Sequence, residues 1–382
     1  MVAEHVCSSE GSTGDPQGYR TEIPVVAPPG QTYNYSNQMF ATGGFVAALA
    51  AGARYEDRNL DDRYSALMQE RVFDPIGMRR TTLDIDEALR SPNRATPHAW
   101  DPLAAGVTEV QPSFERFASA IAPAGAVWSN LDEMSRYAIT QMGGVAPSGT
   151  RVISASALQV THTKEIEIEP GVGYGMGWGI VDNFDGQRAL THDGGTAGFA
   201  SLVVLLPDAH LGVVILTNNR DGGAAFAHAA WSYVYQGAFG LEHQGEDAIY
   251  QAYLDEQASL AAIVTTSPPV TRRETSSHLG AYQHHQSVDF ERREGFTLQT
   301  DFGELPMISL AQLGQPGVYA TAGTWFGIVA QFSQNAVRLG DGESETADWT
   351  LARLTSPHGH PGLPAWHWPT HIRHPAFRHP LH

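Results

Sequence analysis

Two short groups of residues carry side chains suited to acyl-transfer chemistry. Tyr35 and Asn37 flank Ser36 at the start of a helical pattern, and His192-Asp193-Gly194-Gly195 ends an extended pattern. A tyrosine phenol can relay a proton where nearby cations lower its pKa, and an asparagine amide can hold a substrate through hydrogen bonds. Tyr-x-Asn alone is a weak motif, and a plain turn with Asn37 as a helix N-cap is the alternative interpretation.

No serine nucleophile with a basic partner accompanies these groups in the sequence. The chain contains one lysine, Lys164, and the residue three positions before it is Thr161, so a Ser-x-x-Lys motif is absent. The serine elbow Gly-x-Ser-x-Gly does not occur either. Ser12 and Ser36 have no local base signature. We therefore expect a proton-relay and substrate-holding site without its nucleophile.

Periodicity predicts the elements that must position these side chains. Apolar residues at helical spacing, with glycine or proline at the ends, predict helices over residues 37–51, 67–73, 130–143 and 226–239. Alternation and aliphatic runs predict strands over 171–179, 201–206 and 211–217. The last two strands are joined across Pro207-Asp208 as a hairpin. The sequence thus predicts at least three antiparallel strands covered by a helix.

Five ordered motifs between residues 29 and 218 resemble those of the serine β-lactamase and penicillin-binding-protein superfamily. Class C β-lactamase-related serine hydrolases and family VIII-like esterases are the relevant branches. The motifs are Pro29-Gly30 with Tyr35-Ser36-Asn37, Phe73-x-Pro75-Ile76-Gly77-Met78 before Thr81-Thr82, Ala122-Pro123-Ala124-Gly125 before Trp128-Ser129, Gly173-Tyr174-Gly175-x-Gly177-Trp178, and His192-x-Gly194-Gly195-x-x-Gly198-Phe199 before Leu216-Thr217-Asn218.

The resemblance implies an α/β (α+β) fold of the β-lactamase/transpeptidase type, with an antiparallel sheet flanked by helices and a helical subdomain. By the same resemblance, we expect the fold to be N-terminally incomplete here. By the same resemblance the catalytic residues would be Tyr35 as proton relay, Asn37 as substrate-amide partner, His192 in the place of the lysine of Lys-Thr-Gly, and Gly195, whose N–H forms half of the oxyanion hole.

The resemblance also implies two substrate contacts, Ser36 and Gly194, the latter letting substrate lie along the strand edge. His192 bears on the substrate, because histidine is mostly neutral at pH 7 whereas lysine offers a substrate carboxylate a permanent cation. The family function implied is acyl-serine cleavage of an ester or amide, by an esterase or peptidase rather than a β-lactamase. The alternative for His192 is a buried histidine that merely ends a strand.

Because the nucleophile is missing, we expect the chain alone to be inactive. A non-catalytic peptide- or glycan-binding module of the penicillin-binding type is the alternative function. No cofactor or metal is expected for the reaction. A second alternative, divalent-metal binding, rests on the histidines after residue 356.

Composition predicts three regions. Residues 1–264 are expected to form the hydrolase-like domain, residues 273–342 a small all-β appendage, and residues 343–382 a disordered His/Pro-rich tail. The appendage resembles the lipocalin-like domain that some members of the superfamily carry. The net charge of −18 disfavours nucleic acid as a partner. We expect a small-molecule ester, amide or peptide as substrate. No signal peptide and no membrane span are expected, and the compartment and oligomeric state stay open.

Overall fold

The computed structural model describes residues 27–54 and 60–266, together with eight strands between residues 280 and 353. In the first two ranges the helices are α1 Asn37–Ala50, α2 Leu60–Met68, α3 Ile85–Arg90, α4 Ala122–Gly125, α5 Leu131–Gly143, α6 Ala155–Thr161, α7 Arg220–Phe239 and α8 Glu246–Thr266. A wide turn Gln69–Phe73 and a short helical turn Asp74–Ile76 continue α2, and a 3₁₀ helix spans Pro112–Ile121.

The central sheet has six antiparallel strands in chain order. They are β3 Ile166–Glu169, β4 Val172–Tyr174, β5 Gly179–Phe184, β6 Gln187–Gly195, β7 Ala200–Leu206 and β8 Leu211–Thr217. A separate ribbon pairs β1 His98–Asp101 with β2 Gly106–Glu109. The antiparallel sheet with flanking helices confirms the fold class expected from the sequence.

Helices cover both faces of the sheet, and the side chains of β7, which alternate between the two faces, pack against both layers. Val203 and Leu205 pack with Ala138 of α5, whereas Leu202 and Val204 pack with Ala227 of α7. Helix α7 is capped by Asn219 and ends before Gly240, whose backbone lies in the left-handed region. The helix starts six residues earlier than predicted and ends where it was predicted to end. Ala189 and Leu190 of the neighbouring β6 are also buried in this core, which anchors the first half of that strand.

A helical subdomain carries the tyrosine motif. Ala41, Phe45 and Ala48 of α1 are buried at the spacing of one helix face. They pack with side chains of α2 and α4. Gly44 is required there, because a Cβ on it would lie 2.3 Å from Cβ of Pro123 in α4. This contact fixes the start of α1 relative to the rest of the subdomain.

The strand predicted over residues 171–179 is wrong as a single element. It divides into β4 and β5 at Gly175-Met176-Gly177, where Gly177 has φ +84°. Glycine alternation concealed the turn, since residues without side chains satisfy a strand pattern and a turn equally well. The predicted hairpin and α5 are confirmed, the latter with Asn130 as N-cap and Gly144 at φ +72°.

The described C-terminal strands form a closed barrel. They are Gly280–Gln283, Ser287–Arg292, Phe296–Thr300, Gly303–Ser309, Val318–Thr321, Val329–Phe332, Ala336–Gly340 and Trp349–Arg353, each paired antiparallel with its neighbour in the chain and the last with the first. An eight-stranded up-and-down barrel is the lipocalin arrangement. The final strand lies past the boundary expected at residue 342. Residues 1–26 and the tail from residue 354 lie outside the described residues.

None of the described helices is long and apolar enough to cross a bilayer.

Candidate active site

Tyr35 and Asn37 enter a common cleft from the start of α1. Ser36 is the N-cap of that helix and accepts the Met39 N–H at 3.2 Å. The alternative in which Asn37 caps the helix is therefore wrong, and its amide is left to line the cavity together with Tyr35. Ser36, proposed from the motif as a substrate contact, is engaged in capping and does not line that cavity.

The segment His192–Gly195 forms the opposite wall and presents one free edge. It pairs with β7 throughout, from His192 opposite Val203 to Gly195 opposite Ala200. On its other side the pairing with β5 ends at Thr191, opposite Gly179. Among the described strands none pairs with that side of His192–Gly195, so its backbone groups face the cavity.

Two tyrosines lie against the His192 ring, and a third packs on one of them. The ring centroids of Tyr35 and His192 are 6.4 Å apart, and those of Tyr174 and His192 are 6.2 Å apart. Tyr35 meets Tyr174 edge-on at 6.0 Å, and Tyr33 lies 5.4 Å from Tyr174. The two motif residues that sequence reasoning singled out therefore lie together, on facing walls of one pocket.

Hydrogen bonds fix the orientation of the imidazole. Nδ1 of His192 lies 2.5 Å from the Asp193 carbonyl oxygen, and Nε2 lies 3.0 Å from the Tyr174 hydroxyl. Because a carbonyl only accepts, Nδ1 carries the proton in the neutral form of the ring. The Tyr174 hydroxyl then donates to Nε2. In that form His192 offers no N–H to a ligand from Nε2.

Both central phenols are held neutral by their surroundings. Burial raises the pKa of Tyr35, and the Asp193 carboxylate raises it further. Burial likewise raises the pKa of Tyr174, with smaller contributions from Tyr35, Tyr33 and Asp193. Each phenol is therefore a hydrogen-bond donor at neutral pH, and ionisation of Tyr35 requires a cation that the described surroundings of its ring do not supply.

The two glycines of the strand differ in what they contact. A Cβ on Gly194 would lie 2.6 Å from Oγ of Ser201, its partner on β7, so this glycine leaves room for that hydroxyl. Gly195 is exposed at the end of the free edge. The hydroxyl of Ser201 and the backbone at Gly195 both line the cavity.

The cavity has a volume of about 1270 Å³. Small-ligand pockets are usually roughly 300–1,000 Å³. Behind the tyrosine and histidine walls it extends to a buried polar region, lined by Glu115, Arg220, Tyr253 and Gln257. Among the described residues no group of three His, Cys, Asp or Glu side chains is arranged to hold a metal ion.

Sequence reasoning assigned no role to Tyr174 or Glu115. Tyr174 was visible as the tyrosine of the glycine-rich motif. It lies opposite Gly179 of β5, which lies opposite Thr191 of β6, so the phenol reaches His192 across a residue without a side chain. Glu115 belongs to a 3₁₀ helix without a recognisable motif, and no signal in the sequence marks it.

Comparison with known proteins places these features in a family context. The family model described as Beta-lactamase matches residues 14–238. Penicillin-binding protein 4 of Amycolatopsis lactamdurans is 27% identical over 208 residues, 52% of this chain and 49% of that protein. The unguisins hydrolase of Aspergillus violaceofuscus is 27% identical over 222 residues, 52% of this chain and 36% of that protein.

Among solved structures, the octameric penicillin-binding protein homologue from Pyrococcus abyssi matches with a TM-score of 0.48 and 17% identity, over 85% of this chain and 62% of that one. The chain spans about half or less of the length of the two curated relatives.

Proposed function

The chain belongs to the β-lactamase family, and we propose that the cleft between Tyr35 and His192 is the acyl-transfer site of a serine hydrolase. The reaction is the cleavage of an ester or amide through an acyl-serine intermediate, without a metal or cofactor. The observation that carries the proposal is the meeting of two neutral phenols and an imidazole at the free edge of β6. The name of the unguisins hydrolase among the relatives supports hydrolysis as the outcome.

Each group has a defined task in this reaction. The serine oxygen attacks the substrate carbonyl carbon, Tyr35 takes the serine proton, and the same proton passes to the leaving group as the acyl bond breaks. The Gly195 N–H donates to the developing oxyanion, and the Asn37 amide holds the substrate. Water then attacks the acyl-serine by the reverse proton path and releases the acid.

The arrangement of His192 favours an ester or peptide over a β-lactam. Its Nε2 accepts the Tyr174 hydroxyl, so in the neutral ring no N–H from that atom meets a substrate carboxylate. The one lysine of the sequence, Lys164, is paired with Asp182 at 2.6 Å and does not line the cavity. A substrate with a neutral group beside His192 therefore suits this wall better than an anionic one.

The nucleophile in this proposal belongs to a Ser-x-x-Lys segment that the 382-residue sequence does not contain. Two observations support it. The cavity, at about 1270 Å³, is larger than a small ligand needs. The raised pKa of Tyr35 would fall only beside a cation, which such a lysine would supply. The 382-residue chain alone is then inactive, because loss of the nucleophile removes nearly all the rate.

Labelling with a fluorophosphonate tests this function. The protein as purified from its own cells is treated with the probe, and the modified residue is located by mass spectrometry. We expect an adduct on a serine of a Ser-x-x-Lys motif, weakened in Tyr35→Phe and unchanged in Tyr33→Phe, a matched phenol further from His192. The absence of any adduct, or an adduct on a serine of the 382-residue chain, would contradict the proposal.

A non-catalytic peptide-binding module is the second candidate. The free edge of His192–Gly195 favours it, since an extended peptide can add to such an edge as a further strand. If the natural protein binds a peptide ester in calorimetry and forms no product from it, the result would support the module. Turnover of the same compound by the natural protein would support the hydrolase.

A further inference from the structure

A buried carboxylate lies beneath the turn that joins β6 to β7. Glu115 is 3% exposed, and the Gly198 N–H donates to its Oε1 at 2.8 Å. The Ala197 N–H is a second backbone donor to the same carboxylate. The turn begins directly after Gly195 and closes where the Thr196 N–H donates to the Phe199 oxygen at 3.0 Å.

The other side of this turn is held by the backbone at the start of β1. The His98 N–H donates to the Gly198 oxygen at 3.1 Å. A Cβ on Gly198 would lie 2.3 Å from Cβ of Pro97 and 2.8 Å from the His98 nitrogen, so no larger residue fits. Gly198 is thus fixed through both its N–H and its carbonyl. Its carbonyl contact is made by backbone, and its N–H contact is made by the Glu115 side chain.

We infer that Glu115 is a positioning residue, whose carboxylate fixes the turn after β6 and thereby aims the Gly195 N–H into the cleft. This inference rests on the proposed function, in which that N–H receives the oxyanion. Only Thr196 and Ala197 lie between Gly195 and Gly198, and the turn that contains them is closed by a hydrogen bond. Release of Gly198 from the carboxylate therefore shifts the end of the free edge.

The charge on Glu115 decides how strongly it holds the turn. Burial raises the pKa of Glu115 to about 7, while hydrogen bonds from the turn and the charge of Arg220 act in the opposite direction. The ionised carboxylate accepts both turn N–H groups, whereas protonation occupies one oxygen with a hydrogen. The hydrogen bonds from the turn to the carboxylate are therefore strongest above neutral pH and weaken as the pH falls through about 7.

Other charged and titratable groups surround the carboxylate. Arg220 at the start of α7 is paired with Asp221 at 3.0 Å. His98 lies on β1, and Tyr253 of α8 lines the same cavity. A substitution at His98 is therefore made beside one at Glu115, because the backbone of His98 also contacts the turn.

Amide resonances of the turn test the inference on the 382-residue chain. Protein labelled with ¹⁵N and ¹³C is titrated from pH 5 to pH 9, and the Gly195 and Gly198 amide signals are identified by sequential backbone assignment. We expect both signals to shift with a common midpoint near 7. The shift is absent in Glu115→Gln and retained in His98→Asn.

Glu133→Gln is the matched control, because Glu133 is also buried, at 4% exposure, but accepts from Thr81 and the Arg80 N–H elsewhere in the subdomain. The titration of Gly195 should persist in it. A Gly195 signal that stays still while Gly198 titrates would overturn the positioning role, and so would a titration that survives Glu115→Gln. The readout needs no nucleophile, so its outcome is independent of whether fluorophosphonate labels the natural protein.

Discussion

The substitution Glu115→Gln should stabilise the sheet domain at alkaline pH and not at acidic pH. The pKa of this carboxyl rises from 4.5 to about 7 on folding, chiefly through burial. At ~1.4 kcal/mol for each pH unit, that rise corresponds to about 3 kcal/mol. The folded state favours the neutral carboxyl. Its contribution to the free energy of unfolding is therefore complete below pH 4.5, declines between pH 4.5 and about 7, and stays low above that.

Glutamine stays neutral and keeps one carbonyl to accept the Gly198 N–H. The difference in the free energy of unfolding between the variant and the unchanged protein should therefore grow by about 3 kcal/mol in favour of the variant from pH 4.5 to pH 8. Urea unfolding with pulsed hydrogen exchange, read on peptides from β6 and β7, reports this domain separately from the barrel. Parallel stability curves for the two proteins across that pH range would refute the reasoning.

Three further outcomes follow from the contacts of single side chains. Gly44→Ala should destabilise the helical subdomain by about 1–3 kcal/mol because its Cβ meets a proline at 2.3 Å, whereas Gly43→Ala, with nothing within 4 Å, should stabilise it by about 1 kcal/mol in chemical unfolding. Tyr174→Phe removes the donor to Nε2 of His192, so the ¹⁵N shifts of that ring should report a mixture of tautomers while stability falls by no more than about 1.5 kcal/mol. In the 382-residue chain the pKa of the Tyr35 phenol should stay above its ordinary value, and a phenolate absorbance difference between this chain and its Tyr35→Phe variant with a midpoint below pH 10 would contradict this.

Much of the site could be predicted because its residues sit in ordered motifs beside regular elements. Tyr35 precedes a helix whose apolar spacing is plain, and His192 ends a strand followed by a clear hairpin. The order of the motifs placed the two on facing walls of one cleft. The contacts of individual residues were harder to predict. Ser36 rather than Asn37 caps α1, and Gly194 makes room for the Ser201 hydroxyl.

The remaining features depend on contacts distant in sequence. Glu115 reaches Gly198 across 83 positions, and no local pattern signals that pairing. The break at Gly175–Gly177 is a matter of backbone freedom, which alternating glycines do not reveal. The last barrel strand, Trp349–Arg353, falls in the region predicted as a His/Pro-rich tail, because a composition-based boundary does not resolve a five-residue strand next to it.

A crystal structure of the natural protein with a fluorophosphonate bound to its serine tests the central claim most directly. The account predicts a phosphonyl oxygen about 3 Å from the Gly195 N–H, with the Tyr35 hydroxyl within hydrogen-bond distance of the serine oxygen. A covalent adduct lying elsewhere, with neither group in contact with it, would contradict the assignment of this cleft as the acyl-transfer site.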